Sequence, residues 1–221
     1  MDRLVPIIVN NYDSYLSGLW MTVRLVGISF VIAMLVGTLV ASLRIAPARP
    51  LNWIGMFYVE SFRNVPLLVL AIIFSAGVSR ATGVNIGRLS SASVALGLYT
   101  AAYIAESIRS GVSAVSKGQI EASLSLGFTY RQTMRQVILP QAFRTVIPPI
   151  GNLIIAMIKN SAIVAGSLIA LTDILKVARV VNSRTFATNE SFFWAGVGYL
   201  LLTIPATIIV RRLEKRFAIK R

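Results

Sequence analysis

The sequence contains no cysteine and no histidine. Disulfide bonds, metal sites built from these two residues and nucleophilic catalysis by a cysteine–histidine pair are therefore excluded. Charged residues are also scarce, because they make up 14% of the chain against about 25% in an average soluble domain. Hydrophobic residues make up 56%, and the mean hydropathy is +0.73. This balance is typical of a membrane protein.

Acidic residues are few: 8 Asp and Glu stand against 22 Lys and Arg, so the net charge is +14. Such an excess can indicate nucleic-acid binding. Here, however, the positive charges lie between and after apolar blocks, as they do in the cytoplasmic loops of membrane proteins. No aromatic platform of the RNA-binding type accompanies them. We therefore expect this chain to contact membrane lipid and no nucleic acid.

Five apolar blocks approach or exceed the roughly 20 residues that cross a bilayer. They are Leu16–Leu43, Trp53–Val78, Ser91–Ile108, Phe143–Leu171 and Phe192–Val210. The fourth contains Pro148 and Pro149 and is the least regular as one straight helix, and a kink is expected at Pro66 in the second. Residues 172–190 are too polar to span and are expected to form an external loop or surface helix. The sequence predicts an all-α membrane protein, one transmembrane domain over residues 1–221.

The distribution of Lys and Arg predicts the orientation, because cytoplasmic loops carry an excess of both. With five spans and a cytoplasmic C-terminus, 13 positive residues lie inside: Arg44, Arg49, Arg109, Lys117, Arg131, Arg135, Arg144, Arg211, Arg212, Lys215, Arg216, Lys220 and Arg221. Six lie outside: Arg3, Arg80, Arg88, Lys176, Arg179 and Arg184. We therefore expect the N-terminus outside and the C-terminus in the cytoplasm, as in a multi-pass protein of the cytoplasmic membrane.

Small residues recur every fourth position in the first and third blocks. The two ridges are Ser29, Ala33, Gly37 and Ala41, and Ser93, Gly97, Ala101 and Ala105. Small residues let helix backbones approach closely, which drives helix association in a membrane. Packing within the chain is the simpler reading, and contact with another subunit is the alternative.

Ionisable residues inside spans are costly and usually face a partner or a cavity. Glu60 and Arg63 are three residues apart and can pair on one helix face, and Glu106 and Arg109 repeat the spacing. Lys159 has no local carboxylate, so either a bound carboxylate compensates it or it snorkels to the surface. Tyr99, Tyr103 and Glu106 share one face, which either packs or lines a path.

The polar segment 116–140 between the third and fourth blocks is predicted to be cytoplasmic. Its pattern predicts a short helix ending at Gly127, and a second helix capped by Thr129 and ending at Pro140. The order Glu121-Ala122-Ser123, Gly127, Val137, Leu139-Pro140 resembles the EAA loop of ABC-importer permeases. That motif has Ala and Ile where this chain has Ser123 and Val137, with the same spacing.

The resemblance implies a type I ABC-importer permease fold, a dimer with a second permease copy or a paralogue, and an extracytoplasmic solute-binding protein. In that family the loop docks into the ABC ATPase subunits, so Glu121, Ala122, Gly127, Leu139 and Pro140 are predicted to couple the chain to ATP hydrolysis. No Gly-x4-Gly-Lys-Ser/Thr motif is present, so ATP and Mg²⁺ are expected on the partner, with no cofactor and no catalytic residue on this chain.

Further segments narrow the resemblance to polar amino acid permeases of the glutamate, histidine and glutamine type, and they resemble actinobacterial glutamate permeases among these. They are residues 58–67, 103–111, 118–122, 139–142 and 159–161. The resemblance implies substrate contacts from Arg63, Lys159, Asn160 and Ser161 and makes glutamate or a related amino acid the first expectation for the cargo. A passive channel, a proton-coupled carrier using Glu106 and a membrane-embedded enzyme are the alternatives.

Overall fold

The structure is a computed structural model that describes residues 3–77, 80–81, 83, 87–166, 169 and 171–217. Within these ranges the chain is helical and has no β-strand. The helices are α1 (Leu4–Ile45), α2 (Arg49–Asn64), α3 (Leu67–Ile72), α4 (Arg88–Ser113), α5 (Lys117–Ser125), α6 (Tyr130–Thr133), α7 (Leu139–Ala165), α8 (Ile174–Thr185) and α9 (Thr188–Phe217). One π-helical turn, Ile73–Gly77, follows α3, and another, Met134–Ile138, joins α6 to α7. The predicted boundary at Val78, residues 167, 168 and 170 of the fourth block, and the charges of Lys220 and Arg221 lie outside the described residues.

Among the described residues, three helical stretches are long and apolar enough to cross a membrane, Leu4–Ile45, Tyr130–Ala165 and Thr188–Phe217, and the bent pair Arg49–Asn64 and Leu67–Gly77 makes a fourth if it is counted as one span. The three stretches correspond to the first, fourth and fifth predicted blocks. The third block is also helical, as α4, but small and hydroxyl-bearing residues lower its hydropathy. This helix lies in the middle of the bundle, where Leu96, Ile104 and five alanines are fully buried. It is therefore shielded from lipid by its neighbours.

The second predicted block is not one helix. It is divided into α2 and α3, whose axes differ by 100° across a break at Val65 and Pro66. Val65 is extended, with φ −97° and ψ 129°, because the ring of a following proline disfavours helical backbone. The kink expected at Pro66 is thus confirmed as a sharp bend that leaves Arg63 beside it.

The irregularity expected at Pro148 and Pro149 is absent, since α7 continues through both. Proline fixes φ near −65°, a helical value, and the lost backbone bonds are tolerated in helices packed on protein. The predicted end of the second loop helix at Pro140 is also wrong. Helical structure runs from Tyr130 through the π turn into α7, and Pro140 lies just after that turn, inside the continuous helical stretch.

The two small-residue ridges pack on each other. All eight residues are buried, and α1 and α4 run parallel with Ser29 opposite Gly97 and Gly37 opposite Ala101. A Cβ added at Gly37 would lie 2.9 Å from the backbone oxygen of Ala101, and one added at Gly97 would lie 2.8 Å from Ile32. The reading as packing within the chain is confirmed. The buried hydroxyl oxygens of Ser29 and Ser93 have no hydrogen-bond partner in the described part of the chain, so dispersion holds this contact.

The polar segment 172–190 contains a helix, α8, as one of its two predicted forms. Its Ile174, Val177 and Ala178 are buried against the start of α1 and the start of α9. Asp173 caps it, accepting from the backbone N–H of Lys176 (2.8 Å) and the hydroxyl of Tyr199 (3.0 Å). The carboxylate is fully buried, and this burial raises its pKa. We call this part of the bundle the α8 end, and the opposite part, carrying residues 116–138, the loop end.

We expect Gly37→Ala to destabilise the protein, although alanine favours helix more than glycine does. The backbone of α4 cannot yield to the new Cβ without separating the helices, and overpacking of this kind costs about 1–3 kcal/mol. Gly27→Ala on the same helix is the matched control, because a Cβ there meets no atom within 4 Å. Thermal unfolding of the detergent-solubilised protein measures both. An equal or higher midpoint for Gly37→Ala would contradict the close contact.

Candidate functional site

Two adjoining cavities lie between α2, α4 and α7. The smaller, about 170 Å³, is lined by Tyr99, Thr100, Tyr103, Leu153, Ala156, Met157 and Asn160. The larger, about 540 Å³, is lined by Arg63, Tyr103, Glu106, Ser107, Ser110, Gly111, Thr145, Pro149, Asn152 and Leu153. Tyr103 and Leu153 belong to both. The polar groups, which lie far apart in the sequence on three helices, therefore border two cavities that share Tyr103 and Leu153.

Arg63 stands in the last turn of α2, directly before the bend at Pro66. Its guanidinium lies over the ring of Tyr103, 5.4 Å from the ring centre, a cation–π geometry. The predicted pair with Glu60 does not form, because Glu60 instead accepts from the side chain of Asn64 at 3.1 Å. Within the described residues no carboxylate pairs with Arg63. The guanidinium is exposed and forms no ion pair among the described residues, although Glu106 of the same cavity interacts with its charge over a longer distance.

Glu106 carries the opposite charge in the larger cavity and is held by two arginines. Its Oε2 accepts from Arg44 of α1 at 2.6 Å, and its Oε1 accepts from Arg109, including a 3.1 Å bond from Nε. The predicted Glu106–Arg109 pair is confirmed. The sequence missed Arg44, because it lies 62 residues away on another helix, although a basic residue in the last turn of α1 was visible. Both carboxylate oxygens are engaged.

Tyr99 and Tyr103 connect the two cavities. They lie one helical turn apart on α4, with hydroxyl oxygens 3.0 Å apart and ring centres 5.0 Å apart. Sequence reasoning left open whether this face packs or lines a path. In the structure both tyrosines, and Glu106 after them, border open space.

The structure separates the three residues predicted on α7. Asn160 lines the smaller cavity, together with Tyr99 and Tyr103, whereas Arg63 lines the larger one. Ser161 is fully buried and donates to the backbone oxygen of Ile158 at 2.7 Å, and Lys159 is exposed and lines neither cavity. Successive residues of a helix point about 100° apart, so one cavity cannot receive all three. Asn152, two turns before Lys159, lines the larger cavity and was not predicted as a site residue.

The loop end presents the predicted helix–glycine–helix. The Oγ of Ser116 accepts from the N–H of Gln119 and caps α5. Gly127 has φ 84°, its N–H donates to the oxygen of Leu124, and that of Phe128 donates to the oxygen of Ser123. This is a Schellman ending, which needs a residue able to adopt left-handed backbone. Thr129 and Gln132 then form a capping box at the start of α6.

The loop is open to a partner. The five residues predicted to couple the chain to an ATPase are all exposed: Glu121, Ala122, Gly127, Leu139 and Pro140. Apolar side chains stand among them, with Leu124 46%, Leu126 77% and Tyr130 63% exposed. Exposed apolar groups on a polar, structured loop are typical of a docking surface.

We expect Glu106→Gln to lower the free energy of unfolding by about 1–3 kcal/mol, because it leaves Arg44 partly buried without a negative partner. Arg44 is only 13% exposed, so water replaces the lost partner poorly. Glu60→Gln is the matched control, since Glu60 is exposed and contacts only Asn64 among the described side chains. Equal unfolding midpoints for the two variants would contradict a structural role of the Arg44–Glu106–Arg109 cluster.

Comparison with known proteins agrees with this geometry. Residues 20–219 match the family model of the binding-protein-dependent transport system inner membrane component. The chain is 41% identical to the probable glutamine ABC transporter permease protein GlnM of Bacillus subtilis, over 96% of this chain and 97% of that protein. It is 36% identical to the arginine transport system permease protein ArtQ of B. subtilis, over 91% of each. It is 33% identical to the glutamate transport system permease protein GluC of Corynebacterium glutamicum, over 94% and 96%.

A solved amino acid ABC transporter with histidines superposes on the chain with a TM-score of 0.88 at 33% identity, covering 95% of this chain and 96% of that one. The all-helical architecture is therefore that of type I ABC-importer permeases, with several apolar helices embedded in the membrane. Proteins of this kind are transport components, and their ATPase is a separate subunit. The chain belongs to the inner membrane components of binding-protein-dependent transport systems, as a permease subunit of an amino acid ABC importer.

Proposed function

We propose that this permease carries glutamate, or a related amino acid such as glutamine, across the cytoplasmic membrane in an ATP-driven importer. The observation that carries the proposal is the charge of the cavity. Arg63 offers an unpaired guanidinium, and the only carboxylate on the described walls, Glu106, is occupied by two arginines. A substrate carboxylate would supply the missing negative charge.

The same charges argue against a cationic cargo. The side chain of arginine or lysine would enter beside Arg63 with no free carboxylate to compensate it, and like charges at close range repel. The remaining polar groups, Asn152, Asn160 and the hydroxyls of Tyr99 and Tyr103, are neutral and suit a carboxylate or an amide. Relatives named for glutamine, arginine and glutamate are 41%, 36% and 33% identical to the chain, so the proposal rests on the chemistry of the cavity.

The topology follows from the Lys and Arg distribution, with the N-terminus outside and the C-terminus in the cytoplasm. The loop end then faces the cytoplasm, where its coupling residues dock into ABC ATPase subunits that bind ATP and Mg²⁺. The α8 end faces outward, toward the solute-binding protein that delivers the amino acid. A second permease, identical or paralogous, faces the open cavities and completes the path.

In this arrangement the four residues predicted to bind the substrate have different roles. Arg63 and Asn160 contact the amino acid within the cavities. Lys159 is exposed near the α8 end of α7 and attracts the substrate carboxylate as it arrives. Ser161 is buried beneath them, and its bond to Ile158 supports the backbone that carries Lys159 and Asn160.

Uptake tests the cargo. Proteoliposomes holding the whole complex and its binding protein should accumulate labelled glutamate or glutamine when ATP is enclosed, and unlabelled arginine should not compete. Arg63→Gln and Lys159→Ala should lower uptake at least about ten-fold while the complex still assembles, because each removes a charge that attracts the carboxylate.

Arg24→Gln is the matched control, since Arg24 is an exposed arginine of α1 away from both cavities. Wild-type uptake by Arg63→Gln would remove Arg63 from the site. ATP-driven uptake of arginine would support the assignment as an importer and contradict the proposed cargo. Uptake driven by a proton gradient in vesicles without the ATPase would instead support a proton-coupled carrier.

Docking is tested by Gly127→Ala. The left-handed backbone at φ 84° costs an L-residue about 1–2 kcal/mol, so α5 should lose its ending and co-purification with the ATPase should fall. Gly118→Ala is the control, because a Cβ at Gly118 also meets no atom but its backbone is ordinary helix. Unchanged recovery of ATPase with Gly127→Ala would count against the docking role.

A further inference from the structure

Two hydroxyl groups join the arms of the loop. The oxygens of Ser123 on α5 and Thr133 on α6 lie 2.9 Å apart, and the hydroxyl of Ser123 also donates to the backbone oxygen of Ile120 at 2.7 Å. A serine hydroxyl has one proton, which here is used on Ile120, so Thr133 is the donor between the two hydroxyls. Two hydrogen bonds therefore follow one another, from the hydroxyl of Thr133 to that of Ser123 and from Ser123 to the backbone oxygen of Ile120. Both hydroxyl protons are used in them.

These hydroxyls are buried in a segment whose other residues are exposed, apart from the half-buried Ile120 and Phe128. Ser123 is the only buried residue of α5, at 5% exposed, and Thr133 is the only one of α6, at 0%. No apolar cluster joins the two helices in the described structure. A hydrogen bond shielded from water is stronger than the same bond at the surface. The arms of the loop are therefore joined by this buried bond, in addition to the contacts that α5 makes with the π turn Met134–Ile138.

The segment between the hydroxyls is closed by its own backbone bonds. The Schellman ending at Gly127 and the capping box at Thr129 fix the turn, and the Ser123–Thr133 bond closes it on the far side. Directly after Thr133 the chain enters the π turn Met134–Ile138. π turns are less stable than α-helix and often mark functional positions. Residues 117–133 thus form a unit closed by hydrogen bonds, and the less stable π turn Met134–Ile138 connects this unit to α7.

We propose that the Ser123–Thr133 hydrogen bond is a positioning clamp that makes residues 117–133 move as one body, with the π turn as the joint to α7. A docked ATPase would then move the whole unit, and α7, which carries Asn152 and Asn160, would follow through Met134–Ile138. Without the clamp, α5 would move without α6 following it fully, and fewer amino acid molecules would be imported per ATP hydrolysed.

This inference rests on the proposed ATP-driven import and deepens it. Its measure is the number of amino acid molecules imported per ATP hydrolysed, taken on the whole complex in proteoliposomes. Thr133→Val and Ser123→Ala should each lower this ratio roughly three- to ten-fold, the range that one lost hydrogen bond allows. The ATPase rate and the recovery of assembled complex should stay within about two-fold of the wild type. The double variant should be no worse than the worse single variant, since both remove one interaction.

Thr133→Ser separates the hydroxyl from its methyl group and should keep at least half of the wild-type ratio. Ser125→Ala, an exposed hydroxyl two residues from Ser123, is the control for removing a hydroxyl from α5. The clamp is overturned if Thr133→Val keeps the wild-type ratio, if Thr133→Ser is as poor as Thr133→Val, or if the single losses add. Loss of assembled complex would also overturn it, by assigning the pair to folding or docking. Absence of ATP-driven import by the wild type would instead reject the proposed function.

Discussion

The close approach of α1 and α4 is the contact on which the rest of the structure depends. Two ridges of small residues bring the backbones together, so that at Gly37 and Gly97 no room remains for a Cβ. In a membrane, where lipid is as apolar as leucine, such close packing replaces the hydrophobic effect as the source of helix association. It also sets the register in which Arg44 reaches Glu106. A contact without any charge thus determines where the charges of the cavity stand.

The loop end follows different physics from the bundle. In the bundle, dispersion between small residues fixes the helices, and the hydroxyls of Ser29 and Ser93 add no hydrogen bond to a described partner. In the loop, which leaves the bundle, the joining contact is the hydroxyl pair of Ser123 and Thr133. The difference agrees with what each part has to do. The bundle can exclude other atoms by packing, whereas a small exposed segment has too little apolar area to do so.

Sequence reasoning succeeded where the signal is local. The end of α5 at Gly127 and the cap at Thr129 depend on neighbouring residues, and both were predicted. The two small-residue ridges were also predicted, because a four-residue period is visible without knowing which helix packs against it. The continuity of α7 through Pro148 and Pro149 was not predictable, because packing against other helices decides whether proline breaks a helix.

The candidate site shows the same limit. Arg63 and Asn160 were predicted and do border the cavities, whereas Lys159 and Ser161, which the family resemblance grouped with them, line neither cavity. Adjacent residues of a helix point to different faces, and a linear sequence motif does not show this. Glu106 depended on Arg44, and no local pattern relates residues 62 positions apart. Asn152 and Thr145 line the larger cavity with no sequence signal beyond their polarity.

The charges around the cavity explain why these details matter for function. Glu106 forms ion pairs with Arg44 and Arg109, while Arg63 makes a cation–π contact with the ring of Tyr103. A cation–π contact contributes about 0.5–2 kcal/mol, so in the proposed importer Arg63 would exchange Tyr103 for a substrate carboxylate at little cost. Arg63 also lies next to the bend at Pro66, which directs α3 away from the axis of α2. Under the proposed function, a guanidinium held by such a contact would bind the carboxylate and release it again.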